Sequence, residues 1–263
     1  MFVMWMELLW EKKIQNIFYR NYMKKIKKKL LILGGSSDIG VELSKLFINN
    51  KWDVTIHYSG ENLKFKKKLS KYKDIKFIKL NLKKLNEKNI EQKITILSNK
   101  KYDSVVNLIG YIKNCKYLKT RYSDINTSLK INAIIPILIQ KNIIKKMIQN
   151  RWGRILNCSS IGIKFGGGQD TFPYSFAKHA LEFIPSIYKK IAKDNVLINN
   201  LRIGVTDTKI HKKIKNKNIK KRISLIPIKR MATPLEIAKY IYQLSSTENT
   251  FVTGETFTVA GGE

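Results

Sequence analysis

Residues 29–50, KLLILGGSSDIGVELSKLFINN, change character twice. Lys29–Leu33 is a short apolar run that reads as a buried strand. Gly34-Gly35-Ser36-Ser37-Asp38-Ile39-Gly40 follows at once, and an amphipathic helix runs on through Asn50. A strand, a glycine-rich turn and a helix N-terminus in that order build an anion site. Glycines let the backbone come close to a phosphate, while the free first-turn N–H groups and the helix dipole favour negative charge. Placement between strand and helix gives this turn a meaning that a glycine pair alone would lack.

Beyond it the same alternation continues. Asp53–Ser59 reads as a strand, Glu61–Tyr72 as a helix, Lys76–Leu80 as a strand ending in Asn81, and Glu87–Ser98 as a helix. Ser104–Leu108 is the next strand and leads into Ile109-Gly110. Ser128–Gln149 is an amphipathic segment carrying Pro136 and a buriable row of Ile131, Ile134, Ile135 and Leu138. Then come a strand at Arg154–Cys158, a helix from Tyr174 and a strand at Val196–Ile203. A helix at Pro234–Ser245 and a strand at Phe257–Ala260 close the chain. Strands alternating with helices mean βαβ units and a parallel sheet covered on both faces, an α/β fold. With no internal repeat or linker, residues 29–263 read as one domain.

Residues 1–28 read as an N-terminal extension. MFVMWMELLW is interrupted by Glu7 and is too short to span a bilayer. No basic region precedes it and no small-residue cleavage site follows, which argues against a signal peptide. An amphipathic helix on a membrane or partner and an over-extended reading frame starting properly at Met23 are both consistent with it.

The formal net charge is +32, carried by 44 lysines but only seven arginines. Together with plentiful Ile and Asn, that is the trio AT-rich codons favour, and coding bias is the reading adopted for the charge. A nucleic-acid interface would call for arginine, interleaved aromatics or a recognisable module, and none is present. Cys115 and Cys158 form no ligand spacing and no disulfide framework, so the cytoplasm is the expected compartment. His57, His179 and His211 are scattered, so no metal site is expected.

Chemistry concentrates in residues 155–178, ILNCSSIGIKFGGGQDTFPYSFAK. An apolar run ends in the hydroxyls Ser159 and Ser160, and Gly166-Gly167-Gly168 leads to Tyr174 and Lys178 at i and i+4. On a helix that spacing puts phenol and ammonium on one face, a turn apart. A nearby ammonium favours the phenolate and is expected to pull the tyrosine pKa down from about 10. Such a tyrosine can do general acid–base work. In so lysine-rich a chain, Tyr-x-x-x-Lys alone would read as a solvated helix face.

Taken together, these residues resemble the short-chain dehydrogenase/reductase family from Leu30 to Glu263. The family's Thr-Gly-x-x-x-Gly-x-Gly is matched by Leu33 to Gly40, with Leu33 and Asp38 replacing the threonine and middle glycine. Its Asn-Asn-Ala-Gly is matched in part by Asn107-Leu108-Ile109-Gly110. The family asparagine falls on Asn132, its serine on Ser160 and its Tyr-x-x-x-Lys on Tyr174 and Lys178. Its Pro-Gly appears as Ile203-Gly204, followed by Val205-Thr206-Asp207-Thr208. Pro185 falls where the family helix would continue, so a kink or early end is expected there.

The resemblance implies a doubly wound, Rossmann-like sheet of seven strands ordered 3-2-1-4-5-6-7. It implies an NAD(P)-dependent oxidoreductase in which Tyr174 protonates a carbonyl oxygen that Ser160 hydrogen-bonds. Lys178 would hold the nicotinamide ribose, and Asn132 would support a proton-supplying water. Dinucleotide contacts are implied at Gly34, Gly35, Ser36, Ser37, Ile39, Gly40, Ser59, Asn81, Leu82, Asn107, Gly110, Tyr174, Lys178, Thr206 and Thr208. The second strand ends in Tyr58-Ser59-Gly60 with no carboxylate before Glu61 and Lys64 close by, which favours NADP(H) over NAD(H).

Within the family, Gly166-Gly167-Gly168-Gln169 and Ile226-Pro227-x-x-Arg230 resemble the 3-oxoacyl-[acyl-carrier-protein] reductases, and Arg151 aligns with a basic residue near their carrier-protein dock. The expected substrate is a small or carrier-bound carbonyl compound. A lid at residues 209–222, KIHKKIKNKNIKKR, holds seven lysines, one arginine and no acid, which suits an acidic substrate or carrier. Ile210, Ile214, Ile219 and Ile223 could line its inner face. A sugar or polyol reductase and a non-catalytic scaffold on the same fold stay open as alternatives. A homodimer or homotetramer is expected by resemblance.

Overall fold

The structure, a computed structural model, describes residues 27–61, 63–73, 75–210 and 218–263. Its strands are β1 (Lys29–Leu33), β2 (Asp53–Tyr58), β3 (Ile75–Lys79), β4 (Ser104–Asn107), β5 (Gly153–Ser160), β6 (Val196–Ile203) and β7 (Thr256–Val259). Between them run α1 (Asp38–Asn49), α2 (Lys64–Leu69), α3 (Ile90–Ser98), α4 (Tyr122–Leu129), α5 (Ile135–Gln149), α6 (Phe172–Leu181), α7 (Ser186–Lys190), α8 (Ile219–Ser224) and α9 (Pro234–Ser245). All seven strands are parallel, in the order β3-β2-β1-β4-β5-β6-β7.

Side chains alternate across the pleat, and both faces of β1 are buried. Leu30 and Ile32 pack with Leu43 and Phe47 of α1 and with Ile237 and Ile241 of α9. Leu31 and Leu33 face the other way, onto Ile94 and Leu97 of α3 and Ile135, Ile139 and Ile143 of α5. Burial on both faces explains why the strand reads as an unbroken apolar run. Chain order reverses between β1 and β4, and the crevice outside those strand ends is where such sheets bind ligands.

Ser128–Gln149 departs from expectation. The helix begins earlier, at Tyr122, and passes through a π turn at Lys130–Ile134 in which the Ile135 N–H reaches back to Lys130 O. That widened turn shifts the positions after it. The buried row is Ile131, Ile135, Ile139, Ile143 and Met147, while Ile134 is 43% exposed and Leu138 half-buried. Pro136 stands in the first turn of α5, where its missing N–H costs least. Near Pro185 the expected early end is found: α6 stops at Leu181 and Pro185 caps α7.

The expected helices at Glu61–Tyr72 and Glu87–Ser98 are shorter, Lys64–Leu69 and Ile90–Ser98. Lid helix α8 was not expected from the sequence. Met23 and the remainder of residues 1–26 lie outside the described residues, as do His211 and Ile214 in the lid. Among the described residues no helix is long and apolar enough to cross a membrane.

Candidate active site

The glycine turn is shaped by close approach. Gly34 takes φ 72°, the left-handed region, and a Cβ there would stand 3.0 Å from Ile109 N. A Cβ on Gly40 would come within 2.4 Å of Gly35 O, so α1 lies directly on the turn. Ser37 caps α1 and accepts the Gly40 N–H at 3.1 Å. Asp38 and Ile39, at the first two helical positions, have no carbonyl behind them within the helix. Their N–H groups and the dipole suit a diphosphate, so the residues present fit a dinucleotide.

The glycine amides are not the donors on offer. Gly34 N–H is given to Nδ1 of His57 at 3.2 Å, and Gly35 N–H to the His57 main-chain oxygen at 3.0 Å. Nε2 of the same ring lies 2.9 Å from Leu80 O. Burial lowers the His57 pKa to about 4, which keeps the ring neutral. Sequence reasoning passed over this histidine. The signal was there: a titratable ring among the apolar and β-branched residues Val54, Thr55, Ile56 and Tyr58 of β2.

Asp38, which replaces a family glycine, turns its carboxylate sideways. It lies 3.9 Å from Lys68 Nζ of α2 and 3.5 Å from Lys209 Nζ, and it accepts the Lys209 N–H at 3.3 Å. The root of the lid is thus tied to the N-terminus of α1. Glu61 pairs with Lys79 at 2.6 Å, so lysines engage both carboxylates near the end of β2. Ser36 and Ser59 are exposed.

Several expected dinucleotide contacts have side chains committed elsewhere. Asn81 caps a short 3₁₀ turn by accepting Lys83 N–H at 3.1 Å, and the Leu82 side chain is buried in the core. Asn107 accepts the Ile109 N–H at 3.1 Å and donates to Asn157 at 3.4 Å, inside the sheet. Any ligand contact by Leu82 or Asn107 therefore falls to the main chain. Gly110 faces the lid, since a Cβ there would meet Ile210 Cδ1 at 3.3 Å. The hydroxyls of Thr206 and Thr208 donate to Gly204 O (3.0 Å) and Thr206 O (3.3 Å). Arg222 pairs with Glu263, which fastens α8 to the end of the chain.

The structure brings Ser160, Tyr174 and Lys178 together. Ser160 ends β5, and its Oγ accepts the Gly162 N–H at 3.2 Å. Gly167 packs so tightly on Ser175 that a Cβ would lie 2.1 Å from its Oγ, while Thr171 accepts the Gly168 N–H at 3.1 Å. The glycine loop thereby seats the N-terminus of α6. Tyr174 and Lys178 share one face of that helix, with Nζ 5.9 Å from the phenol ring centre. Asn132 joins through the β4–α4 loop: it accepts Tyr111 N–H at 2.7 Å and donates to Tyr111 O (2.9 Å) and Ser128 Oγ (3.0 Å). Both N–H donors of its amide are taken, so its side chain could hold a water only through the second lone pair of Oδ1.

The electrostatics correct one expectation. Burial pushes the Tyr174 pKa up to about 12, and the Ser160 hydrogen bond offsets only part of that rise. Burial also lowers Lys178 to about 8. The Lys178 ammonium, hydrogen-bonded to Ile109 O (2.8 Å) and Cys158 O (2.6 Å), does not outweigh the effect of burial on the phenol. Each group is stripped of water and moves toward its neutral form. The site therefore holds a phenol that keeps its proton and can donate it.

Arg151 lies beyond the start of β5, at the opposite end of that strand from Ser160. Within one chain it is remote from Ser160, Tyr174 and Lys178. A cavity of about 740 Å³ lined by Leu46, Ile226, Ile228, Tyr242 and Ala260 also excludes Ser160, Tyr174 and Lys178.

A family model described as enoyl-(acyl carrier protein) reductase matches residues 34–263. The chain belongs to the short-chain dehydrogenase/reductase family. It is an oxidoreductase of that family. It is 29% identical over 244 residues to the 3-oxoacyl-[acyl-carrier-protein] reductase FabG of Buchnera aphidicola subsp. Schizaphis graminum, covering 91% of this chain and 98% of that protein. It is 33% identical over 161 residues to the FabG of Aquifex aeolicus, covering 61% of this chain and 64% of that protein. Among solved structures, "ElxO with NADP Bound" superposes with a TM-score of 0.75 at 26% identity, over 90% of this chain and 98% of that one. As a short-chain dehydrogenase/reductase the chain keeps the serine, tyrosine and lysine at one strand end and departs at Asp38 and Ile203.

Proposed function

We propose that this chain is an NADPH-dependent reductase of 3-oxoacyl thioesters, and that Tyr174 is its general acid. The observation that carries the reading is the half-buried Tyr174 hydroxyl hydrogen-bonded to Ser160, its pKa raised, one helical turn from a buried lysine anchored on two carbonyls. A reduced nicotinamide held in the crevice would supply the hydride that a carbonyl carbon needs. Ser160 orients the carbonyl oxygen, and Tyr174 hands it a proton as negative charge develops there. Lys178, anchored on Ile109 O and Cys158 O, would hold the ribose with its remaining N–H and offset that charge.

Three further features support the particulars. The acids near the end of β2 are engaged by Lys68, Lys79 and Lys209, which suits a 2′-phosphate. The similarity to FabG proteins and to the acetoacetyl-CoA reductase of Cupriavidus necator, 32% identical over 162 residues, points to acyl thioesters on a carrier protein or coenzyme A. Exposed Tyr122, Phe176 and Phe183 on α4, on α6 and just beyond α6 provide apolar surface for a homodimer or homotetramer, working in the cytoplasm.

Purified protein with NADPH and acetoacetyl-CoA tests the reading by loss of absorbance at 340 nm. Turnover at a kcat near 1 s⁻¹ or above, the ordinary range for enzymes, is expected (roughly). Turnover on keto-sugars but not on thioesters would move the substrate to a sugar or polyol. Dinucleotide binding without turnover on any carbonyl compound would leave a scaffold.

A further inference from the structure

We infer that His57 is a positioning residue that locks two dinucleotide-binding loops to each other through one neutral tautomer. The inference rests on the dinucleotide reading above. Leu80 O can only accept, so the Nε2 at 2.9 Å must carry the ring proton and donate it. Nδ1 is then a bare lone pair, and it receives the Gly34 N–H at 3.2 Å. The next amide along, Gly35 N–H, goes to the main-chain oxygen of the same residue at 3.0 Å. One residue of β2 therefore takes up both glycine amides of the first loop and holds the residue preceding Asn81 in the second.

The ring is 1% exposed, so neither arm can be replaced by solvent. Gly34 sits at φ 72° with its Cα against the Leu108–Ile109 peptide, and the turn has little room to shift unless its tether is cut. Leu80 in turn precedes Asn81, whose side chain caps the turn that carries Leu82. The opposite tautomer would point an N–H at the Gly34 N–H and leave Leu80 O without its donor. It would break both arms at once. The two loops face the same crevice from β1 and β3, on either side of β2, and His57 spans the strand between them.

The two arms can be separated chemically. Asparagine keeps an acceptor near the place of Nδ1, glutamine keeps a donor near that of Nε2, and leucine keeps neither. The experiment is an NADPH fluorescence titration of the full chain, its His57→Leu, His57→Asn and His57→Gln variants, with ¹⁵N-histidine NMR of the wild type. The expected spectrum shows the neutral Nε2–H tautomer at pH 7, with the signal assigned by its loss in the variants. His57→Leu is expected to weaken NADPH binding about tenfold or more, the factor one buried hydrogen bond carries, and each polar variant to recover part of it. The loss should fall on KM for NADPH rather than on kcat. A wild-type Nδ1–H tautomer overturns the inference whether or not any variant folds, and so does a folded His57→Leu that binds within twofold of wild type. A wild-type chain that binds neither NADPH nor NADH overturns the dinucleotide reading itself, which is a different result from tight wild-type binding left untouched by His57→Leu.

Discussion

Lys178 reaches past Tyr174: although the two stand one turn apart on α6, its Nζ is given to Ile109 O and Cys158 O at 2.8 and 2.6 Å. Those carbonyls come from different strands' ends, so the lysine stitches the β4–α4 loop to β5 underneath the phenol. The lysine's ammonium is held in place by main-chain carbonyls. The phenol is left protonated, which is the form a reductase must start from.

Stability should carry the signature of that buried amine. Lys178 titrates at about 8 in the fold against 10.5 when unperturbed. Its folded pKa is depressed, so the stability it contributes is present above pH 10.5 and lost as pH falls through 8. Between those values the unfolded chain binds the extra proton, and stability rises with pH by about 3 kcal/mol if nothing else titrates. Tyr174 acts above that window with the opposite sign: its raised pKa makes stability fall from pH 10 toward 12. Lys178→Met should remove the rise between pH 8 and 10 in thermal melts. A rise identical to wild type would place the titrating group elsewhere.

Gly40→Ala is expected to destabilise the fold by about 1–3 kcal/mol and to weaken NADPH binding together with it. The added methyl would meet Gly35 O at 2.4 Å, a main-chain atom that cannot rotate away. Urea melts and a binding titration check this. A variant that melts with wild type would show that α1 can lift off the turn freely.

NADPH should exceed NADH in kcat/KM by roughly tenfold or more at low salt, and the gap should narrow by 0.5 M salt. The lysines around Asp38 and Glu61 are largely exposed, so their attraction for a 2′-phosphate is screened beyond about 10 Å at 0.1 M. Initial rates with both dinucleotides across a salt series decide it. Equal values at low salt would remove the cationic rim from cofactor choice.

Much of this is legible in the sequence. The β1–turn–α1 unit shows in the switch from an apolar run to glycines to a 3.6-residue period, and Tyr174 and Lys178 share a face because i and i+4 always do on a helix. The π turn at Lys130–Ile134 was not legible, since one widened turn leaves no mark on propensity and misplaces Ile134. Nor were the partners of Lys178, which are carbonyls and so have no residue type to read. Arg154 is a similar case: it reads as one more strand residue, yet its buried guanidinium stacks on Trp152 at 4.4 Å and donates to Gly153 O, Asn195 O and Asn249 O. Acceptors that belong to the backbone are fixed by the fold and stay silent in the sequence.

The most direct test is Tyr174→Phe assayed with NADPH and acetoacetyl-CoA alongside wild type, with NADPH affinity measured on the same samples. Removing only the hydroxyl should cut kcat by about 10²–10⁴, the usual worth of a general acid, and leave the NADPH dissociation constant within a few-fold. A variant retaining kcat within tenfold of wild type would mean that the proton comes from another group.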